Sequence, residues 1–412
     1  MDLQISWRNL WRNPRRTIII LTAIIIGIVS MLVLSAFGRG MMQGMVKNSI
    51  DNLVGHIRIQ DPQYRIDPAI DHRIPGSVEF IADITKELPE DARLVKRMKV
   101  DGLLSTSREH IGIVIVGIEP DSETGVSFIG KPLASGDKLR SDDKNGLLIG
   151  QALLERIDTK LGKKVVLLSQ DTAGEGSSRA FRIRGTYRTE LRDTEKRYVF
   201  VNLATLQNML GLVGDVTEIS INLESGSDDH TKAIDQLVVN LNTVLEEQGY
   251  EATGWRQLLP AIHAYIEMFD FYMLIWFVVV FIAMGFGLAN TMLMAVYERM
   301  REFGLQRALG MRSSKIIRVV LVEVFLLLVI GVLIANGSTL FLTSVVFKSG
   351  IDLSLFTAGV EMFGISRIIY PILTFKDVLM ANGVVIILGL LVGLYPALHA
   401  SKFTPMETMR YL

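Results

Sequence analysis

The chain has 412 residues, 43 basic against 43 acidic, with 49% hydrophobic and 21% charged positions and no cysteine. Balanced charge gives no global case for nucleic acid or a strongly acidic ligand, and the missing thiols exclude disulfides, cysteine-ligated zinc and thiol catalysis. A chain this apolar that still carries so many charges is neither wholly soluble nor wholly in lipid, so the distribution along the sequence carries the information.

Residues 1–16 place Trp7, Leu10 and Trp11 on one side of an expected helix and arginines on the other. This reads as a cytoplasmic interfacial helix anchored by Trp7, Trp11, Arg15 and Arg16. Residues 17–39 follow as transmembrane helix 1. A basic start before an apolar run also suits a secretory signal, but residues 17–37 are uncharged throughout, beyond the roughly 7–15 residues of a signal h-region, which favours a retained span. Arg8, Arg12, Arg15 and Arg16 are expected to keep the N-terminus in the cytoplasm. Residues 40–268 then lie on the far side, with the composition of a soluble protein. Apolar or alternating runs at 55–60, 111–118, 165–168, 179–187, 198–202 and 218–223 predict strands, and 151–157, 204–210 and 232–248 predict helices. The fold class expected is membrane α-helical, with four transmembrane helices and a large α+β extracytoplasmic domain between helices 1 and 2.

A helical pattern through Ile262, Tyr265, Ile266 and Phe269 runs straight into transmembrane helix 2, 269–297. Transmembrane helix 3 is expected at 316–347, an extracytoplasmic loop with a partly interfacial character at 348–377, transmembrane helix 4 at 378–400 and a cytoplasmic tail at 401–412. Gly389 and Gly393 have the GxxxG spacing of close helix packing. Both termini are expected in the cytoplasm of a multi-pass inner (plasma) membrane protein.

Between spans two and three lies ERMREFGLQRALGMRSSK, residues 298–315. Its basic residues Arg299, Arg301, Arg307, Arg312 and Lys315, with Arg318 beyond, outnumber Glu298 and Glu302, which assigns the loop to the cytoplasm. It reads as a helix with Phe303, Leu305, Ala308 and Leu309 as an apolar side and Gly310 as a stop. Such a helix could dock into another protein or lie on anionic headgroups; Glu302 and the Phe303-Gly304 step favour docking.

This motif between two spans, with PALHASKFTPMETMR after the last, resembles the signature of MacB/FtsX-like ABC transporter permeases, a group that includes the lipoprotein-releasing LolC and LolE subunits. The resemblance implies that residues 298–315 are a coupling helix seated in a groove of an ATPase, with Arg301, Glu302, Phe303, Gly304, Arg307, Ala308, Leu309 and Gly310 as the ATPase-coupling residues. It further implies a cytoplasmic ABC ATPase dimer, which binds the ATP and Mg that this chain does not, and a second permease, identical or related. GLLIGQALLER followed by LGKKVVLL resembles the family's periplasmic core domain, where an inserted subdomain, placed here at roughly 95–205, divides the flanking one. The activity implied is ATP-driven movement of the periplasmic domain for lipoprotein or lipid extraction. The alternatives are a MacB-like efflux permease with an adaptor and outer-membrane duct, or an FtsX-like signalling protein controlling cell-wall hydrolases.

No catalytic residue is expected on this chain. Gly125 to Lys131 satisfies G-x-x-x-x-G-K, but Pro132 stands where magnesium needs a hydroxyl, so the match is read as chance. The six histidines have no metal-ligand spacing. Asp142-Asp143 and Asp228-Asp229 read as solvated loop charges rather than paired acids. Glu323 and Asn290 are the intramembrane polar candidates: Glu323 is a functional candidate by default, but about one turn from Arg318 it is shallow enough to reach an arginine at the cytoplasmic interface, which favours a structural ion pair, and Asn290, Asn336 and Asn382 are expected to hydrogen-bond between helices.

Overall fold

A computed structural model describes residues 2–189, 191–223, 230–353 and 367–402. The tail from Phe403 onward with Arg410, Asp228-Asp229 and the middle of the expected outer loop lie outside the described residues. The α-helices among the described residues, numbered in chain order, are α1 Asp2–Leu10, α2 Pro14–Ser49, α3 Val78–Lys86, α4 Gln151–Arg156, α5 Arg192–Arg197, α6 Leu203–Leu210, α7 His230–Leu245, α8 Trp255–Leu258, α9 Pro260–Glu298, α10 Met300–Ala308, α11 Ser313–Phe341 and α12 Phe375–Lys402. Two compact units divide the chain: Met1–Gln43 with Tyr265–Leu353 and Ile368–Leu412, and Gly44–Ala264 with Ser354–Arg367.

The first unit is helical. Among the described residues, four helices are long and apolar enough to cross a membrane: Pro14–Val54, Pro260–Glu298, Ser313–Val346 and Phe375–Lys402. α11 is the helix against which others close. Its Gly331 meets Ile24 of α2, while Gly389 and Gly393 of α12 meet its Leu328 and Val324; a Cβ on any of the three would lie 2.5–2.9 Å from those side chains. Small residues in lipid-immersed helices let backbones approach so that dispersion, rather than a hydrophobic drive, holds them. Ile24, Ile28, Leu32, Phe277, Phe281, Val324, Leu328 and Val385 fill the core, while Ile18, Ile19, Phe286, Leu333 and Leu391 face outward. At one end, Arg39 of α2 pairs with Asp270 of α9 and with Asp377 of α12, Lys376 also pairs with Asp270, and the Thr374 hydroxyl donates to Asp377 at 2.7 Å. Asp377 is fully buried, so these partners are what make its charge tolerable. The short strands β13 Ile351–Asp352 and β14 Ile368–Ile369 pair antiparallel in the same unit.

The second unit is β-rich. Its strands are β1 Ile57–Gln60, β2 Ile74–Pro75, β3 Ala92–Ser105, β4 His110–Ile118, β5 Ser135–Gly136, β6 Gly146–Gly150, β7 Lys164–Gln170, β8 Gly176–Tyr187, β9 Tyr198–Asn202, β10 Asp215–Val216, β11 Glu218–Leu223 and β12 Glu251–Gly254. The main sheet runs β12-β1-β11-β3-β4-β9-β6-β8-β5, and β7 pairs with both β3 and β8. The pairings β3–β4, β4–β9, β9–β6, β6–β8, β8–β7 and β7–β3 therefore return to their start, closing a ring of six strands. Period-two patterning gives the ring an inward face: Ile111 and Ile113 of β4 and Phe181 and Ile183 of β8 are buried, while His110, Gly112, Arg182 and Arg184 are exposed. Phe128, Tyr187 and Phe200 pack with ring centroids 5.1–5.7 Å apart in a core with Val116, Ile118 and Leu148. The long β3 belongs both to the ring and, through β11, to the flanking strands β1 and β12. The strands of 95–205 are thus continuous with the flanking sheet.

Candidate functional site

α10 is a nine-residue helix that begins after Arg299 and ends at Leu309, followed by Gly310 at φ 91°, a left-handed position that suits glycine. Phe303 and Gly304 turn inward: Phe303 is 2% exposed and packs in the membrane unit's core, with the Arg299 guanidinium 5.1 Å from its ring centre. The expected single apolar side is therefore corrected. At about 100° per residue, Leu305 lies roughly 200° around the helix from Phe303. Leu305 is 63% and Leu309 80% exposed, and Arg301, Ala308 and Gly310 are exposed with them.

Charged side chains fasten this helix to its neighbours. Glu302 pairs with Arg12 and, at 3.5 Å, with Arg299; Glu298 pairs with Arg16 of α2. Arg299 also reaches Glu323 of α11 at 3.0 Å, and Arg307 donates to the Ser401 carbonyl of α12 at 2.8 Å. Tyr297 and His399 lie 2.9 Å apart, and the buried Ser6 hydroxyl of α1 donates to the Val319 carbonyl at 3.1 Å. Glu323 thus belongs to an ion pair, with Arg299 just before α10 as its partner. The result is a platform in which α10 and the two residues before it are tied to the turn between α1 and α2, the start of α2, α11 and the end of α12.

Trp7 and Trp11 are half exposed and meet edge to face at 6.0 Å, with Arg15 exposed beside them. Leu10, expected on their side, is instead buried in the core, a second correction. Asn290 faces a groove of about 480 Å³ between α9 and α12, walled by Gly285, Phe286, Leu391 and Tyr395. The expected asparagine hydrogen bonds between helices are not formed at Asn336 and Asn382, whose buried Oδ1 atoms have no partner among the described residues. The Gly125 to Lys131 segment holds a short 3-10 turn whose Phe128 and Ile129 are buried; Lys131 pairs with Asp51 at 2.9 Å. It packs as core and presents no helix for a phosphate.

Sequence reasoning missed a buried charge network in the β-rich unit. Arg97 of β3 makes two hydrogen bonds to Glu123, at 2.7 and 2.9 Å, and donates to the Leu53 carbonyl at 3.0 Å. Arg58 of β1 reaches the same carbonyl at 3.2 Å. Glu218 of β11 receives Lys99 at 2.8 Å, Arg58 at 3.3 Å and Arg97 at 3.7 Å. Arg97, Glu123 and Glu218 are each 0–1% exposed. Leu53 stands at φ 73°, a left-handed conformation costly for a side chain with a Cβ, and the two guanidiniums grip its carbonyl there. Burial raises the Glu218 carboxyl's pKa, but Arg58, Lys99 and Arg97 more than offset this and hold it down at about 2. Burial pushes Lys99 the other way, from 10.5 to about 7, against the pull of Glu218 and with Arg58 and Arg97 adding to the shift. The available signal was the register that sets Glu218 opposite Arg97, and the charges at 97 and 99 on one strand face.

Residues 17–238, more than half the chain, match the model of a MacB-like periplasmic core domain, and residues 273–405 match the FtsX-like permease C-terminal model. The chain is similar to the pyoverdine export ATP-binding/permease protein PvdT of Pseudomonas fluorescens, 22% identical over 99% of this chain and 59% of that one; it thus spans under two thirds of that relative. It is also similar to the lipoprotein-releasing system transmembrane protein LolC of Xylella fastidiosa, 25% identical over 78% of each. Among solved structures, the periplasmic region of MacB from Actinobacillus actinomycetemcomitans aligns with TM-score 0.36 and 14% identity, covering 53% of this chain and 97% of that one.

Proposed function

The chain belongs to the family of MacB-like and FtsX-like ABC transporter permeases, and from that premise we propose that it is a non-catalytic permease subunit driven by a separate ABC ATPase. α10 docks on that ATPase in the cytoplasm, where both termini also lie, and the β-rich unit works outside. A second permease, identical or related, completes the assembly. The observation that carries the reading is the pairing of two leucines left outward, Leu305 and Leu309, with a helix otherwise fastened through Glu302, Arg299, Phe303 and Arg307. Such a helix can receive a push on its exposed face and pass it to several spans at once, because it is fastened to more than one of them.

The cargo proposed is a lipoprotein or lipid drawn from the membrane, which the alignment with LolC over 78% of both chains supports. Export of a small molecule is the second reading, favoured by the alignment with PvdT across 99% of this chain. The test is co-expression with a candidate ATPase and purification of the complex. Leu305→Glu with Leu309→Glu is expected to abolish ATPase co-purification and ATP-driven release while the variant keeps its wild-type thermal melt. Retained ATPase binding and release would refute the docking role. Native mass spectrometry of the intact complex separates the cargo readings, since acylated protein should be retained under the first and absent under the second.

A further inference from the structure

Of the six basic side chains from Arg299 to Arg318, three are engaged within the chain: Arg299 with Glu302 and Glu323, Arg307 with the Ser401 carbonyl, and Arg301 through a further contact. The other three, Arg312, Lys315 and Arg318, are exposed and make no ion pair or hydrogen bond with any described residue. They recur at every third position and line one cleft of about 650 Å³ together with Ser314, Leu309 and Met311. Residues three apart share a helix face, so the three charges gather rather than disperse. Gathering like charges without a counter-charge is unfavourable, and an anion in the cleft would offset it.

The surroundings narrow the anion. Arg318 lies about two turns before Val324, where the uncharged stretch of α11 begins its course across the bilayer, so the three cations sit at headgroup depth. Leu309 and Met311 give the cleft an apolar wall suited to the glycerol and first methylenes of a lipid. Among the described residues no aromatic side chain lines it, so none of them offers a platform on which a nucleotide base would stack. We propose that this cleft binds the phosphate of an anionic phospholipid headgroup. The inference needs only that α11 spans the bilayer, and stands whether or not α10 meets an ATPase.

The experiment places the full chain in nanodiscs of phosphatidylcholine mixed with phosphatidylglycerol and reads the retained lipids by native mass spectrometry. Wild type should retain phosphatidylglycerol in preference to phosphatidylcholine. In R312Q/K315Q/R318Q the preference should fall on the order of a hundredfold, each near-surface cation contributing roughly fivefold, and Lys348→Gln, at the other end of α11, should leave it intact. Loss of the preference on raising salt would agree with an exposed electrostatic site. Two results would overturn the proposal. Displacement of phosphatidylglycerol by equimolar inorganic phosphate would make free phosphate the ligand. A triple variant that keeps the lipid preference but no longer co-purifies with the ATPase would assign the cations to a protein partner.

Discussion

Glu218→Gln keeps the shape of a fully buried side chain and deletes the charge on which Arg58, Arg97 and Lys99 converge. The carboxyl stands near pKa 2 in place of 4.5; at about 1.4 kcal/mol for each tenfold change in proton affinity, its ionised form contributes about 3 kcal/mol to the folded β-rich unit. Removing one partner of a buried network also strands the others, so roughly 3–5 kcal/mol is the expected loss. Hydrogen exchange of the full-length protein, read on peptides covering β1, β3 and β11, should show opening at least about a hundredfold faster in the variant at pH 7. The sign with pH follows from the depressed carboxyl. The wild type's advantage over the variant should be complete above about 4.5 and should shrink as pH falls towards about 2, because protonation then removes the wild type's charge and leaves it as neutral at 218 as the variant. Equal exchange of the two proteins at pH 7, or a gap that persists undiminished at the acid end, would refute the assignment.

Lys99→Met addresses the same network from the cationic side. Because folding lowers the lysine's pKa to about 7, the unfolded chain binds more protons between about pH 7 and 10.5, so wild-type stability should rise with pH across that window and the variant's should not; denaturation series at pH 7 and 9 check it. Phe303→Ala should destabilise the membrane unit by about 3–5 kcal/mol, the usual cost of emptying a buried aromatic site, and lower its melting temperature in detergent. Gly389→Leu should destabilise by about 1–3 kcal/mol or more, since its Cβ alone would lie 2.6 Å from Leu328, with the loss visible as a lower yield of folded protein on size-exclusion chromatography. Asp377→Asn should leave Arg39 short of a buried partner and speed exchange at the neighbouring ends of α2 and α12.

The spans were legible because lipid imposes a length and an absence of charge that few other constraints mimic. The segment between spans two and three was legible as a helix with a glycine stop, and Gly310 adopts the left-handed backbone that the stop implies. Which way its apolar residues face was not. Phe303 and Leu305 look alike in one dimension, and only the positions of Ile316, Val320 and Ala400 make the first a core residue. The same limit hid the Arg97 network: Glu123 and Glu218 come from 26 and 121 positions along the chain, and no local pattern announces that they will share one guanidinium. Strands in the β-rich unit were found by alternation, whereas ring closure depends on β7 meeting β3 sixty residues earlier, a pairing that patterning alone does not specify.

That closed circuit of strands has a consequence for how the β-rich unit would bear a load. Six strands hydrogen-bonded in a loop expose no rim of their own, so a neighbouring copy seeking to add a strand would meet the outer strands β12 and β5 instead. A hoop also resists shear better than an open ribbon, because sliding any one strand breaks bonds on both of its sides. A load placed on Leu53 would be met first by Arg58 and Arg97, which clasp its carbonyl, and Arg97 stands on β3 of the hoop itself.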